Sequence, residues 1–319
     1  MTYVMSLTKW MIILNPVAGG GKTALLWPHI SKYFRERDFS FECVFTRHKY
    51  HAVTMTIEAI REGFRNFIVI GGDGTYHEVI NGIFYQQDVP TRDITVGIIP
   101  IGTGNDLISA YRIPSDYEQA MDTIFQHNSV LTDIGWVSFQ DYGIERSRFF
   151  ANAAGMGLDA AVIRRYEKVV EQNYRRGNSL YLQSLLHQFL MYRPKDLRVL
   201  VDGNVFFEGP VLTCSIGIGI CIGSGMKALP LSIPDDGLFD ITLVTTMNKV
   251  ALALRIKDFI NGHVYNFKEA MHGRGRTIEV LLETDGELMG APPYLFKIIP
   301  SSIRILAGRD FVPFVRNET

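Results

Sequence analysis

Three times in its first third the chain runs a short apolar stretch straight into a glycine-rich turn. The first is Trp10-Met11-Ile12-Ile13-Leu14, ended by Asn15-Pro16-Val17-Ala18-Gly19-Gly20-Gly21-Lys22-Thr23. The second is Phe67-Ile68-Val69-Ile70, ended by Gly71-Gly72-Asp73-Gly74-Thr75-Tyr76-His77-Glu78. The third spans residues 94–99 and ends in Pro100-Ile101-Gly102-Thr103-Gly104-Asn105-Asp106. Apolar residues at helical spacing follow the first turn (Leu25, Leu26, Ile30, Tyr33, Phe34) and the second (Val79, Ile80, Ile83, Phe84). A further strand over 41–45 and a helix marked by Val53, Ile57 and Ile60 complete the alternation. Strand, turn and helix in repeated order predict parallel βαβ units. In such a sheet the turns gather at the carboxyl edge of the strands, where ligands bind.

The residues in these turns suit a phosphate. Glycine lets the backbone turn tightly and aim N–H groups at an anion, and a following helix adds its positive end. The first turn approaches a Walker A loop, but Pro16 stands where that motif needs a glycine, and proline has no N–H to give. In the second turn an acid, Asp73, stands among close-approach glycines, which suits a magnesium-bound polyphosphate. Thr75 and Glu78 in the same segment also fit a capping box that starts the following helix.

Beyond residue 136 the texture changes. Two helical stretches, 160–173 and 180–192, precede strand-like runs at 198–202, 211–222, 239–244 and 277–283, which predicts a second, β-rich domain. Leu182, Leu185, Leu186 and Phe189 read as core, and His272-Gly273-Arg274-Gly275-Arg276 as a loop. Asp285-Gly286-Glu287 places two acids where an extended chain points both the same way; Asp-Gly is equally a common turn pair. Pro234-Asp235-Asp236-Gly237 likewise suits an ordinary turn before a strand.

Composition narrows the setting. A formal net charge of −1 over 319 residues gives no global drive toward nucleic acid or an anionic membrane. Cys43, Cys214 and Cys221 are too few and too irregular for a disulfide framework or a zinc site, which points to a reducing, cytoplasmic setting. The apolar run near the start is too short for a signal peptide, and no run is long enough to span a bilayer.

The three turns together match, in order and spacing, Asn-Pro-x-x-Gly-Gly-Gly-Lys, Gly-Gly-Asp-Gly-Thr-x-x-Glu-Val-x-Asn-Gly and Pro-x-Gly-Thr-Gly-Asn-Asp. The chain thereby resembles the superfamily of diacylglycerol kinases, sphingosine kinases and related bacterial lipid kinases. Phe150-Ala151-Asn152-Ala153-Ala154-Gly155-Met156-Gly157, residues 234–240 and Asp285-Gly286-Glu287 extend the likeness over essentially the whole chain. His77, where many relatives carry asparagine, and Ser232, where alanine is usual, are departures.

The resemblance implies an α/β N-terminal domain like that of NAD kinases and phosphofructokinases, a second β-sandwich domain, and a nucleotide cleft between them. The nucleotide domain would comprise 1–136 with 298–319 returning to it, and the acceptor domain 137–297. It implies ATP-dependent phosphorylation of a lipid hydroxyl, with diacylglycerol or a related lipid alcohol as acceptor and Mg²⁺ as cofactor. An NAD kinase-like enzyme and a non-catalytic nucleotide- or lipid-binding relative are the rival readings. Nucleotide contacts would come from Asn15, Pro16, Gly19, Gly20, Gly21, Lys22, Thr46, Gly71, Gly72, Asp73, Gly74, Thr75, Tyr76, His77, Gly102, Thr103, Gly104 and Asn105. Asp73, Asp285 and Glu287 would be catalytic, with the choice of base between the last two left open. Asp133 and Asp106 would stand near the catalytic Mg²⁺. A structural Mg²⁺ would be held by Asp236 and the carbonyls of Ile233 and Leu238. The partner would be a lipid alcohol at a membrane surface, met through peripheral contact; Arg164, Arg165, Arg175 and Arg176 could touch anionic head groups, though such a run also suits a solvated helix face. A homodimer is also implied.

Overall fold

The computed structural model describes residues 9–173, 178–223, 225–282 and 291–314. In chain order the elements are β1 Trp10–Leu14, α1 Lys22–Arg35, β2 Phe41–Phe45, α2 His51–Arg61, β3 Asn66–Gly71, α3 Asp73–Tyr85, β4 Thr95–Pro100 and α4 Tyr117–Gln126. Next come β5 Ser129–Asp141, β6 Ile144–Phe150, β7 Ala153–Gly157, α5 Leu158–Asn173, α6 Asn178–Met191, β8 Lys195–Val201 and β9 Asn204–Gly217. The chain closes with β10 Phe239–Thr245, α7 Lys249–Asn261, β11 Ala270–Gly275, β12 Thr277–Leu282 and β13 Ala291–Leu306. They form two compact units: residues up to Thr132 with Ser302–Pro313, and Asp133–Ser301 with the residues from Phe314 on. The chain passes from one unit to the other inside β5 and again inside β13.

The first unit is a parallel sheet in the order β2-β1-β3-β4, extended by the last residues of β13 alongside β4. Every residue of β1 is buried, so both faces of the strand are covered, as a parallel sheet requires. One face packs Trp10, Ile12 and Leu14 with Ile68, Ile70 and Ile99 against Ile30 and Phe34 of α1 and Met121 and Ile124 of α4. The carboxyl ends of β1, β3 and β4 are therefore neighbours, and the three glycine-rich turns leave from them.

The second unit is largely antiparallel. Its strands run in the order β11-β10-β9-β8-β12-β13, with β7 paired to the free part of β9 and β5 to β6. Its core joins Phe150, Phe239 and Phe296 with Ile216, Ile241 and Ile278. The ring planes of Phe150 and Phe239 stack with centroids 5.8 Å apart. Gly135 of β5 leaves the space that the Phe150 ring occupies across the β5–β6 pair.

Several expectations change. The segment from His272 is not a loop but lies in β11, paired residue by residue with β10. Asp133 sits inside β5. Leu186 is exposed rather than core, and the side chains of Leu182, Leu185 and Phe189 lie outside the described residues. Helices α4 and α7 were not anticipated, although each has a capping side chain: Asp116 accepts the Gln119 N–H, and Asn248 accepts the Ala251 N–H.

Candidate functional site

The turn after β1 is built from left-handed backbone. Gly19, Gly20 and Gly21 have φ of 58°, 71° and 90°, a run only glycine adopts without strain. At Gly20 and Gly21 a Cβ would meet nothing, so there the requirement is the dihedral angle alone. At Gly19 it would also stand 2.9 Å from the Ile101 carbonyl oxygen in the third turn. Lys22 opens α1 and is exposed.

The second turn is tied to both others. Asn15 Nδ2 donates to Thr75 Oγ1 at 2.9 Å, joining the first turn to the second. A Cβ on Gly72 would stand 3.0 Å from Gly102 Cα, joining the second to the third. The Ile101 N–H donates to the Gly71 carbonyl at 2.8 Å. The three turns thus form one cluster within the first unit, at the carboxyl ends of β1, β3 and β4. Thr46 joins its edge at the end of β2, buried, with its N–H on the Leu14 carbonyl.

The capping-box reading of this segment fails. Helix α3 begins at Asp73 with Gly72 as its cap, ahead of Thr75. Thr75 is buried under Asn15. Glu78 instead accepts the Tyr50 N–H at 2.9 Å and the Ala52 N–H at 3.2 Å, fastening the start of α2. His77 lies half-buried one turn before Asn81, whose amide donates to the His77 carbonyl.

Asp73 occupies the first position of α3, where a carboxylate suits the helix dipole. Its Oδ2 accepts the Asp106 N–H at 3.1 Å and its Oδ1 the Leu107 N–H at 3.2 Å. These bonds aim the carboxylate and leave each oxygen a further lone pair. Asn105, with φ of 56°, turns the third loop back so that its amide donates to the Gly102 carbonyl. Beneath the turns lies a cavity of about 10 Å³ lined by Asp73, Tyr76, Asn105 and Leu107 among others. The Tyr76 hydroxyl and Asn105 Oδ1 are buried without protein partners.

Gly74 is the most telling residue of the cluster. It lies in α3, its φ is not positive, it is exposed, and a Cβ there would touch nothing of the protein. Neither packing nor backbone conformation requires glycine, and alanine would suit the helix better by about 1 kcal/mol. Among the described residues no three or more His, Cys, Asp or Glu side chains cluster as a metal cage. A magnesium ion held through one carboxylate and the phosphates it accompanies needs no such cage.

In the second unit, Asp133 is wholly buried in β5. Its oxygens accept the Gly237 and Ser301 N–H groups, and its own N–H donates to the Pro234 carbonyl. Asp285 and Glu287 lie outside the described residues, as do Arg175 and Arg176. Arg164 is half-buried, and burial lowers its pKa.

One acid was missed by sequence reasoning. Asp159, in the first turn of α5, has a buried Oδ2 without a hydrogen-bond partner, while Oδ1 accepts the Ala160 N–H at 2.9 Å. Burial pushes this carboxyl up to about 7, against the pull of the Ala160 N–H and the nearby Thr213 and Ser215 hydroxyls. A side chain on Gly155 would collide with the carboxyl. The signal was a glycine four residues ahead of an acid, with Gly155 inside the stretch 150–157 and Asp159 just beyond it.

Residues 9–137 match the family model described as the diacylglycerol kinase catalytic domain. Residues 152–307 match the YegS C-terminal NAD kinase beta sandwich-like domain. A diacylglycerol kinase of Staphylococcus carnosus is 27% identical over 305 residues, covering 94% of this chain and 95% of its own. One from Staphylococcus aureus strain JH9 is 29% identical over 266 residues, covering 81% and 80%. A solved structure titled as a putative diacylglycerol kinase from Bacillus anthracis aligns over 97% of this chain and 100% of its own, with a TM-score of 0.72 at 21% identity. That likeness carries the two-part fold: an α/β unit followed by a β-sandwich-like one.

Proposed function

We propose that this chain, a member of the diacylglycerol kinase catalytic family, transfers the terminal phosphoryl group of ATP to the hydroxyl of a lipid alcohol, diacylglycerol or a close relative. The observation that carries the reading is Gly74: a solvent-facing helical glycine with no internal reason to be glycine, beside an acid aimed by two N–H groups, in a cluster of three phosphate-suited turns. The names of the relatives supply the acceptor class.

In this reading the left-handed run Gly19–Gly21 and the start of α1 receive phosphate oxygens, and the bare backbone at Gly74 lets the polyphosphate approach α3. Asp73 would hold Mg²⁺, which when bound neutralises charge developing on the transferring group. Asp106 acts through its backbone N–H, which orients Asp73. One of Asp285 and Glu287 takes the proton of the attacking hydroxyl. The acceptor belongs to the second unit, which Asp133 helps to shape from within.

The test is a labelled-ATP transfer assay against a panel of lipid alcohols, with NAD as a control acceptor. Transfer to diacylglycerol or another lipid alcohol is expected. Efficient phosphorylation of NAD with none of any lipid would overturn the reading.

A further inference from the structure

The loop entering β10 is where the family resemblance implies a structural magnesium ion, on Asp236 and the carbonyls of Ile233 and Leu238. In this chain the Asp236 carboxylate is already committed. Its Oδ1 accepts the Leu238 N–H at 3.0 Å, and its Oδ2 is ion-paired with the Arg274 guanidinium. Arg274 stands directly opposite Asp240 in the β10–β11 register. Its Nε lies 3.2 Å from one oxygen of Asp240 and 3.3 Å from the other, so one guanidinium bridges both acids. His272 Nε2 lies 2.7 Å from the Asp240 carboxylate. The side chains of Asp236 and Asp240 are 1% and 0% exposed. Burial raises the pKa of Asp240 in spite of His272 and Arg274; burial would lower that of Arg274, but the two acids more than offset it.

Two buried carboxylates this close need a cation. A magnesium ion would supply it through a shell of oxygens. A guanidinium supplies it through a planar fork of donors that matches carboxylate geometry and cannot dissociate from the chain. The rest of the loop is fastened without an ion as well. Asp133 holds Gly237 and Pro234, and Asp235 accepts the Phe314 N–H at 2.8 Å.

We propose that Arg274 is the built-in cation of this loop, standing where the family pattern implies a divalent ion, so that the second unit keeps its structure without bound metal. A magnesium requirement of the enzyme then belongs to its nucleotide alone. The inference does not depend on which acceptor is phosphorylated.

The test uses the full chain, stripped with EDTA and free of nucleotide, and reads melting temperature and Mn²⁺ binding by electron paramagnetic resonance. In the wild type, Mg²⁺ should leave the melting temperature unmoved, and no Mn²⁺ should bind in a manner sensitive to Asp236→Asn. Arg274→Ala should melt lower by about 10 °C. Millimolar Mg²⁺ should restore part of that loss, and the restoration should vanish when Asp236→Asn is added. A wild-type chain that binds one Mn²⁺ tightly, and loses it on Asp236→Asn, would overturn the proposal. So would an Arg274→Ala variant that melts like the wild type. If Arg274→Ala fails to fold, the wild-type Mn²⁺ measurement decides alone.

Discussion

Gly74 and Asp73 lie side by side and answer to different constraints. Gly74 has neither a positive φ nor a close neighbour, so its methyl-bearing variant costs the fold nothing. Gly74→Ala should raise resistance to denaturant by up to about 1 kcal/mol while raising the KM for ATP; an unchanged KM would remove the argument from close approach. Asp73 is held by the Asp106 and Leu107 N–H groups. Asp73→Asn turns an amide NH₂ toward one of those donors. It should cost about 1–2 kcal/mol of stability and lower kcat at least about a hundredfold. Unfolding curves and initial rates on the same samples separate the two effects, and near-wild-type turnover would remove Asp73 from the site.

Helix starts show how an element's sequence signature and its real cap can part. Thr75 and Glu78 have the spacing of a capping box, yet α3 starts earlier and Glu78 caps α2 from a neighbouring element. Helix α5 carries in its first turn Asp159, whose folded pKa is raised from 3.8 to about 7 by burial. The unfolded chain ionises this group first, so its contribution is greatest below about pH 4 and is lost as pH rises toward 7. The loss is bounded at about 4 kcal/mol. Asp159→Asn, which carries no proton to lose, should flatten that part of the stability–pH curve. A variant curve parallel to the wild type across that window would show that the carboxyl ionises freely in the folded chain.

At the scale of the whole molecule, the proposed reaction joins a water-soluble donor to an acceptor in a membrane. No helix among the described residues is long and apolar enough to cross one, and the net charge of −1 leaves attraction to a local patch. Arg164 is drawn inward, while Lys168 on the same helix is exposed and Arg165 half-exposed. Activity in mixed micelles should therefore follow the surface fraction of lipid alcohol. It should rise with anionic carrier lipid and lose that gain as salt shortens the screening length to about 10 Å at 0.1 M. Reversing Arg165, Lys168, Arg175 and Arg176 to glutamate should remove the anionic-lipid gain and spare turnover on a short-chain soluble acceptor. Full activity of that variant on anionic micelles would refute the patch and leave the kinase assignment standing.

Local signals were enough for the alternation of strands and helices in the first unit and for its three turns. Period and glycine conformation are properties of neighbouring residues, and β1, β3 and β4 fall within a residue of the apolar runs that announced them. The same local logic failed at β11, where Gly273 looked like a loop residue. It is glycine because a Cβ there would stand 2.7 Å from the Phe206 ring. The bond from Asn15 to Thr75 spans 60 positions, that from Tyr50 to Glu78 spans 28, and the pairing of Arg274 with Asp236 spans 38. Which carboxylate is held by the next turn, which caps a distant helix and which is neutralised by an arginine depends on burial and on partners remote in sequence. Charge, spacing and residue type named Asp73, Asp133 and Asp236 but not Asp159; only the folded chain decided what each one faces.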